Sequence, residues 1–117
     1  MTDIKTISFL LVRLGCSISY KGFRYLAEII KRACDDESVI YNLSNEVYMT
    51  IAEENGTKAT NVERDVRTVI KRQWEQHSTL LKKMSLTPIE YQPTVKEFIS
   101  LIVCHLKYDP DFNAYAT

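Results

Sequence analysis

The sequence is poor in glycine, proline and cysteine, with three residues of each among 117. The glycines stand singly, so no glycine-rich loop is present that would cradle a phosphate group. The cysteines, Cys16, Cys34 and Cys104, are odd in number and lack Cys-x-x-Cys spacing, which indicates reduced, buried side chains. We therefore expect neither a disulfide framework nor a bound cofactor or metal ion.

A catalytic site is also difficult to assemble from this sequence. His77 and His105 are the two histidines. Cys104 and His105 are neighbours whose side chains diverge by about 100° on a helix, which is a poor start for a shared metal ion. The pair Glu53 and Glu54 is typical of a solvated face, because catalytic carboxylates need a cleft. We expect a protein without catalytic activity.

Long apolar runs and an excess of charge of one sign are missing as well. No stretch of about 18 apolar residues predicts a transmembrane helix. The stretch 7–14 is too short, contains Arg13 and precedes no signal-peptide cleavage site, so we expect a cytoplasmic protein. Basic and acidic residues number 15 each, so any attraction to nucleic acid must come from local clustering of charge.

Apolar residues recur at helical spacing along almost the whole chain. No alternation of apolar and polar residues predicts a strand. We predict an all-α compact bundle of about six helices over residues 1–107 and a loose tail over 108–117. A capping box of Thr94 and Glu97 is expected to begin the last helix. The apolar stripes cover residues 4–14, 23–33, 47–52, 62–74, 80–84 and 95–106, with one further helical turn at 39–43.

Residues 46–74 are typical of a helix-turn-helix. The first helix is expected to end at Asn55-Gly56, where glycine can take the left-handed conformation of a helix stop. Thr57 is then expected to cap the second helix. The spacings between Ala52, Gly56 and Val62, four and then six residues, suit a tight helix-turn-helix.

The second helix of this pair combines an apolar inner stripe with a cationic outer face. At about 100° per residue, the outer face holds Thr60, Arg64, Arg67, Thr68 and Lys71, with Asn61 beside them. Such a face predicts contact with DNA. The alternative is an amphipathic surface helix whose basic side chains meet only water.

Three separated blocks of the chain carry a further signal. They are residues 20–26 with Glu28 and Ile30; Ala52, Thr57, the run 62–64, Arg67, Ile70 and Trp74; and residues 93–94 with 97–99. In this order, from about residue 4 to residue 106, they resemble the C-terminal effector domain of stage zero sporulation protein A, a sporulation response regulator. The resemblance implies an all-helical domain that binds double-stranded DNA sequence-specifically and acts in transcription, on an element like TGTCGAA.

The resemblance also implies roles for the outer face. Three positions align with residues that look toward bases in the family: Asn61, Glu63 and Arg64. Five are assigned to the DNA backbone: Lys58, Thr60, Arg67, Thr68 and Lys71. Base contacts carry the sequence information, whereas backbone contacts set the position of the protein on the duplex.

This chain departs from the family pattern at several of these positions. Asn61 replaces an arginine, Thr68 a histidine and Asp65 a small neutral residue. Arginine is suited to guanine and asparagine to adenine, so Asn61 is expected to change the preferred base. The segment between Trp74 and Pro93, which in the family helps to contact the sigma subunit of RNA polymerase, is several residues shorter here.

Two hypotheses follow for function. The first is a transcriptional regulator whose helix at about 58–74 enters the major groove and which binds as a dimer on adjacent sites. The second is a protein-interaction module of the same fold that has lost specific DNA recognition. Nothing in the sequence resembles the receiver domain that controls the family's full-length protein, which leaves open either an excised effector domain or a stand-alone regulator.

Overall fold

All regular structure in the computed structural model is helical within the residues it describes, 2–85 and 88–109. The five α-helices of these ranges are α1 (Ile4–Arg13), α2 (Lys21–Asp35), α3 (Tyr48–Glu54), α4 (Ala59–Met84) and α5 (Val95–Tyr108). A 3₁₀ helix, Glu37–Asn42, and one π-helical turn, Leu43–Val47, lead from α2 into α3. Across these ranges there is no strand, and the all-α fold expected from the sequence is confirmed.

The ends of the helices follow local capping chemistry. The Asp3 side chain accepts a hydrogen bond from the Thr6 N–H at 2.8 Å and so begins α1. Gly15 follows the end of α1 with a φ of +99°, a conformation that favours glycine. The predicted capping box of Thr94 and Glu97 is present at the start of α5, with its two hydrogen bonds at 3.1 and 2.9 Å.

One continuous core holds the five helices together. Its fully buried large side chains come from α1, α2, α4 and α5, together with Ile51 of α3 and Leu14, which follows α1. Most of them lie on the stripes expected from the sequence, because each helix turns its apolar face away from water. They are Ile7, Leu10, Leu11, Leu14, Leu26, Ile29, Ile30, Ile51, Ile70, Leu81, Met84 and Phe98.

The helix expected at 80–84 is not separated by a loop from the helix before it. The short helix expected at 80–84 is the last part of α4, which continues beyond Trp74 and is kinked at His77 (φ −140°, ψ 41°). The buried Gln73 side chain donates hydrogen bonds to the carbonyl groups of His77 at 2.9 Å and of Leu14 at 3.0 Å. A side chain that binds backbone in this way is a recognised cause of a kink. The end of α1 and the bend in α4 are therefore tied to one another.

The C-terminal end of the chain is described only in part. Residues 110–117, most of the expected loose tail, lie outside the described residues. Tyr108 is the last residue of α5, and its hydroxyl donates a hydrogen bond to Glu37. Lys107 donates to the same carboxylate at 2.7 Å, which joins α5 to the segment that follows α2. In the part of the chain that the structure describes, none of the helices is both long and apolar enough to cross a membrane.

Candidate nucleic-acid interface

The connection between α3 and α4 is a tight turn stabilised by backbone hydrogen bonds. Gly56 has a φ of +64°, as the sequence predicted for a glycine helix stop. The N–H of Thr57 donates to the carbonyl of Ala52 at 2.9 Å, and the N–H of Gly56 donates to that of Glu53 at 3.4 Å. This pair of bonds is the Schellman arrangement, which satisfies carbonyl groups that a helix end leaves free. It turns the chain directly from α3 into α4.

The prediction that Thr57 caps α4 is wrong. The N-cap residue is Lys58, and its side chain makes no capping hydrogen bond. Thr57 precedes the N-cap by one residue, and its own N–H completes the hydrogen bonding at the end of α3. Its hydroxyl instead accepts a hydrogen bond from the Asn61 side-chain amide at 3.1 Å, which orients an amide that the family resemblance assigned to base reading.

The position of α4 is set by a very close approach of α2. A Cβ atom added to Gly22 would lie 2.0 Å from the backbone oxygen of Asp65, so only glycine fits at this crossing. The backbone nitrogen of Val66, whose side chain is fully buried, would lie 2.9 Å from the same Cβ atom. The first turn of α2 therefore borders the outer face of α4.

All eight predicted contact residues belong to α4 or to its N-cap, and their side chains differ in exposure. Arg64 and Arg67 have 60% and 58% of their side chains exposed. Lys58, Thr60 and Lys71 are also exposed, whereas Asn61, Glu63 and Thr68 are half-buried. The structure thus brings these residues together on the outward side of one helix.

Each arginine of this face forms an ion pair with an acidic neighbour on α4. Arg67 donates to the carboxylate of Glu63 at 2.8 Å, one helical turn earlier. Arg64 contacts Asp65 at 3.5 Å, a longer and weaker ion pair. The Thr68 hydroxyl donates to the backbone carbonyl of Arg64 at 2.9 Å. Arg64 is therefore the less constrained of the two guanidinium groups.

A different groove borders each side of the outer face. On one side, Glu63 and Arg67 line a groove with Tyr48 and the chain around Lys96. Burial, together with the charge of Glu63, raises the pKa of the Tyr48 hydroxyl to about 12. On the other side, the groove beside Arg64 is lined by residues of α2, of the α3–α4 turn and of α4: Lys21, Arg24, Tyr25, Asn55, Gly56, Thr57, Asn61, Arg64 and Asp65.

Sequence reasoning missed Lys21 and Arg24 as neighbours of this face. Both are exposed, and both belong to the first turn of α2 that Gly22 brings against α4. The single glycine between aromatic and basic residues at 20–24 was the available signal. A glycine near a helix start can mark close packing of helices as well as a turn.

The described residues therefore form a helical domain that presents one cation-bearing helix between two grooves. Residues 7–106 match the family described as sporulation initiation factor Spo0A C terminal. The chain belongs to this family, and the resemblance seen in the sequence is confirmed over almost the same span. The family is one of DNA-binding effector domains of sporulation regulators.

Proposed function

We propose that this domain regulates transcription by binding a specific sequence in duplex DNA, with α3, the turn at 55–57 and α4 acting as a helix-turn-helix. The observation that carries the proposal is the outer face of α4, where Arg64 is exposed while the opposite face of the helix is buried. A helix of this kind fits the major groove, which admits one α-helix. The protein would act in the cytoplasm and catalyse no reaction.

Within this proposal, three residues read bases. Arg64 is suited to guanine, because its guanidinium can donate to O6 and N7 together. Glu63 can accept a hydrogen bond from cytosine N4, and Asn61 can bond to adenine. The bond from Asn61 to the Thr57 hydroxyl occupies one of the two amide hydrogens and leaves the other for a base.

The remaining cations and hydroxyl groups hold the sugar-phosphate backbone. Such contacts fix the register of the protein on DNA without reading its sequence. Because one small domain buries a limited interface, tight binding is expected to need two copies on adjacent sites. The residues assigned to the backbone are Lys58, Thr60, Arg67, Thr68 and Lys71.

Contact with the sigma subunit of RNA polymerase is a separate part of the proposal. The segment 75–92 that would make it includes the exposed Lys82 and Lys83 at the end of α4. Transcription in vitro from a promoter that carries the binding element would test it. A Lys82→Glu, Lys83→Glu variant is expected to bind DNA like the parent but to activate less.

Titration of labelled duplexes at physiological salt tests the central claim. One duplex carries two adjacent elements like TGTCGAA, and its control carries the same bases in scrambled order. We expect clearly tighter binding to the first duplex. Equal, weak binding to both duplexes would overturn the proposal.

The second candidate function is a protein-interaction module without specific DNA recognition. It is favoured by the acidic partners Glu63 and Asp65, which already pair with both arginines of the outer face. Asp65 also stands where the family has a small neutral residue. The scrambled-duplex comparison separates the two functions, because this module predicts no preference between the duplexes.

A further inference from the structure

We propose that Lys21 and Arg24 of α2 form a second backbone-binding surface, which contacts the DNA strand on the side of α4 opposite Arg67. This inference rests on the proposed function and adds residues outside the helix-turn-helix. It assigns a role to the groove between the start of α2 and the outer face of α4.

The position of this surface follows from the packing of α2 on α4. Gly22 lies against the Asp65 backbone, and its neighbours Lys21 and Arg24 line the same groove as Arg64 and Asn61. The two cations of α2 are therefore carried by a rigid helix crossing and not by a mobile loop. The crossing fixes the backbone of both residues relative to α4.

The charges of Lys21 and Arg24 have no evident structural purpose. Within residues 2–85 and 88–109, neither side chain has an ion pair or a hydrogen bond. The first turn of α2 contains no acidic residue. A cation at a helix N-terminus is unfavourable, because it faces the positive end of the helix dipole. These side chains therefore lower the stability of the fold slightly, and they can bind an anion.

When α4 lies in the major groove, that anion is a phosphate of the DNA backbone. Asn61 and Arg67 lie about 60° to either side of Arg64 around α4. A helix centred on Arg64 in a groove about 12 Å wide therefore has one DNA backbone beside each flank. Arg67 faces one backbone. On the other flank the cations that line the groove beside Arg64 are Lys21 and Arg24.

Asp65 opposes this binding. It is the acidic residue of the groove, where it faces Arg64 at 3.5 Å and lies among three cations. The groove is still positive in total, so it attracts phosphate, but less strongly than it would without the carboxylate. The Asp65→Asn variant is therefore expected to tighten binding to every duplex.

The test compares a Lys21→Ala, Arg24→Ala variant with the parent by titration over a range of salt concentrations. Loss of two phosphate contacts is expected to flatten the plot of log affinity against log salt by roughly 1.8 units. The change is expected for cognate and scrambled duplexes alike, so their affinity ratio stays close to that of the parent. Lys5→Ala, at an exposed lysine of α1 that lines neither groove beside the outer face of α4, is the control and is expected to leave the slope unchanged.

Duplexes with single methylphosphonate linkages locate the contact, because each linkage removes one phosphate charge. The parent is expected to lose affinity at phosphates on both strands. The α2 variant is expected to become insensitive at phosphates of one strand, and Arg67→Ala at phosphates of the other.

The outcomes separate this inference from the proposed function. An unchanged salt slope in the α2 variant, with the parent still preferring the cognate duplex, would overturn the inference alone. The same holds if both variants lose sensitivity at the same phosphates. A parent that fails to prefer the cognate duplex would overturn the proposed function and this inference with it.

Discussion

The guanidinium group of Arg67 lies 2.8 Å from the carboxylate of Glu63, one helical turn earlier on α4. The pair joins a residue assigned to base reading with one assigned to the DNA backbone. Before Arg67 can bind a phosphate, its guanidinium must be shared with Glu63 or released from it. An exposed pair of this kind contributes only about 0.3–0.5 kcal/mol to folding, so its main effect is expected on binding.

Removing the charge of Glu63 is the first prediction. In Glu63→Gln, Arg67 is free for phosphate and one negative charge no longer faces DNA, so we expect tighter binding to scrambled duplexes. The preference for the cognate duplex is expected to fall, because a cytosine contact is weakened. Glu53→Gln, an exposed acid on α3, is the control. Identical titration curves for the two variants would contradict the assignment of Glu63.

The second prediction separates Arg64 from Arg67. Arg64→Ala is expected to remove most of the preference for the cognate duplex while keeping much of the salt-sensitive background. Arg67→Ala is expected to weaken binding to both duplexes similarly and to flatten the salt plot by about one unit, one phosphate contact. Titrations at several salt concentrations measure both effects.

Both substitutions are at exposed positions of a helix, where alanine is a strong helix former. Circular dichroism and a melting curve are expected to match the parent and serve as the control for folding. Parent-like binding by both variants would show that the outer face of α4 is not a DNA surface.

Reversing the family departure at Asn61 is the third prediction. Asn61→Arg loses the hydrogen bond to the Thr57 hydroxyl, which accepts from solvent instead, and gains a side chain that can bond guanine twice. Selection from a random duplex pool is expected to shift one position toward guanine, by ~1–3 kcal/mol of discrimination. Recovery of the same guanine preference with the parent protein would contradict an altered reading at this position.

The fourth prediction concerns the crossing of α2 and α4. Gly22→Ala places a Cβ 2.0 Å from the Asp65 backbone oxygen, and backbone cannot rotate away as a side chain can. We expect the free energy of unfolding, measured by urea denaturation, to fall by about 1–3 kcal/mol. Gly56→Asn is the control, because a Cβ there meets no atom within 4 Å and asparagine tolerates the left-handed conformation. Equal midpoints for both variants would refute the close approach.

The fifth prediction is a loss of stability at alkaline pH. Burial raises the pKa of the Cys16 thiol to about 12, above a value near 8.5 in an unfolded chain. The unfolded state therefore releases this proton first, and the free energy of unfolding falls as pH rises from about 8.5 toward 12. The fall is at most about 1.4 kcal/mol per pH unit from this group. Urea denaturation at pH 8 and pH 10 measures it.

Cys16→Ala is the control for this pH dependence. The variant lacks the buried thiol, so its stability is expected to fall less between the two pH values. Some fall is expected to persist, because burial also raises the pKa of Cys34. A pH dependence equal to that of the parent would assign the loss to other groups.

The amino-acid sequence by itself determined the local features of this protein. Apolar spacing predicted the all-α fold, Gly56 predicted the end of α3, and Thr94 with Glu97 predicted the start of α5. Each feature depends on residues within a few positions of one another, so their chemistry can be read along the chain. The same periodicity placed the charged side chains of α4 on one outer face.

Only the tertiary structure decided what surrounds that face. The contact of Gly22 with Asp65 brings Lys21 and Arg24 beside Arg64, although they are distant in sequence. The buried Gln73 joins the end of α1 to the bend at His77, where non-helical backbone separates the two segments of α4. Periodicity describes one helix at a time, whereas these contacts depend on which helices pack together and how closely their backbones approach.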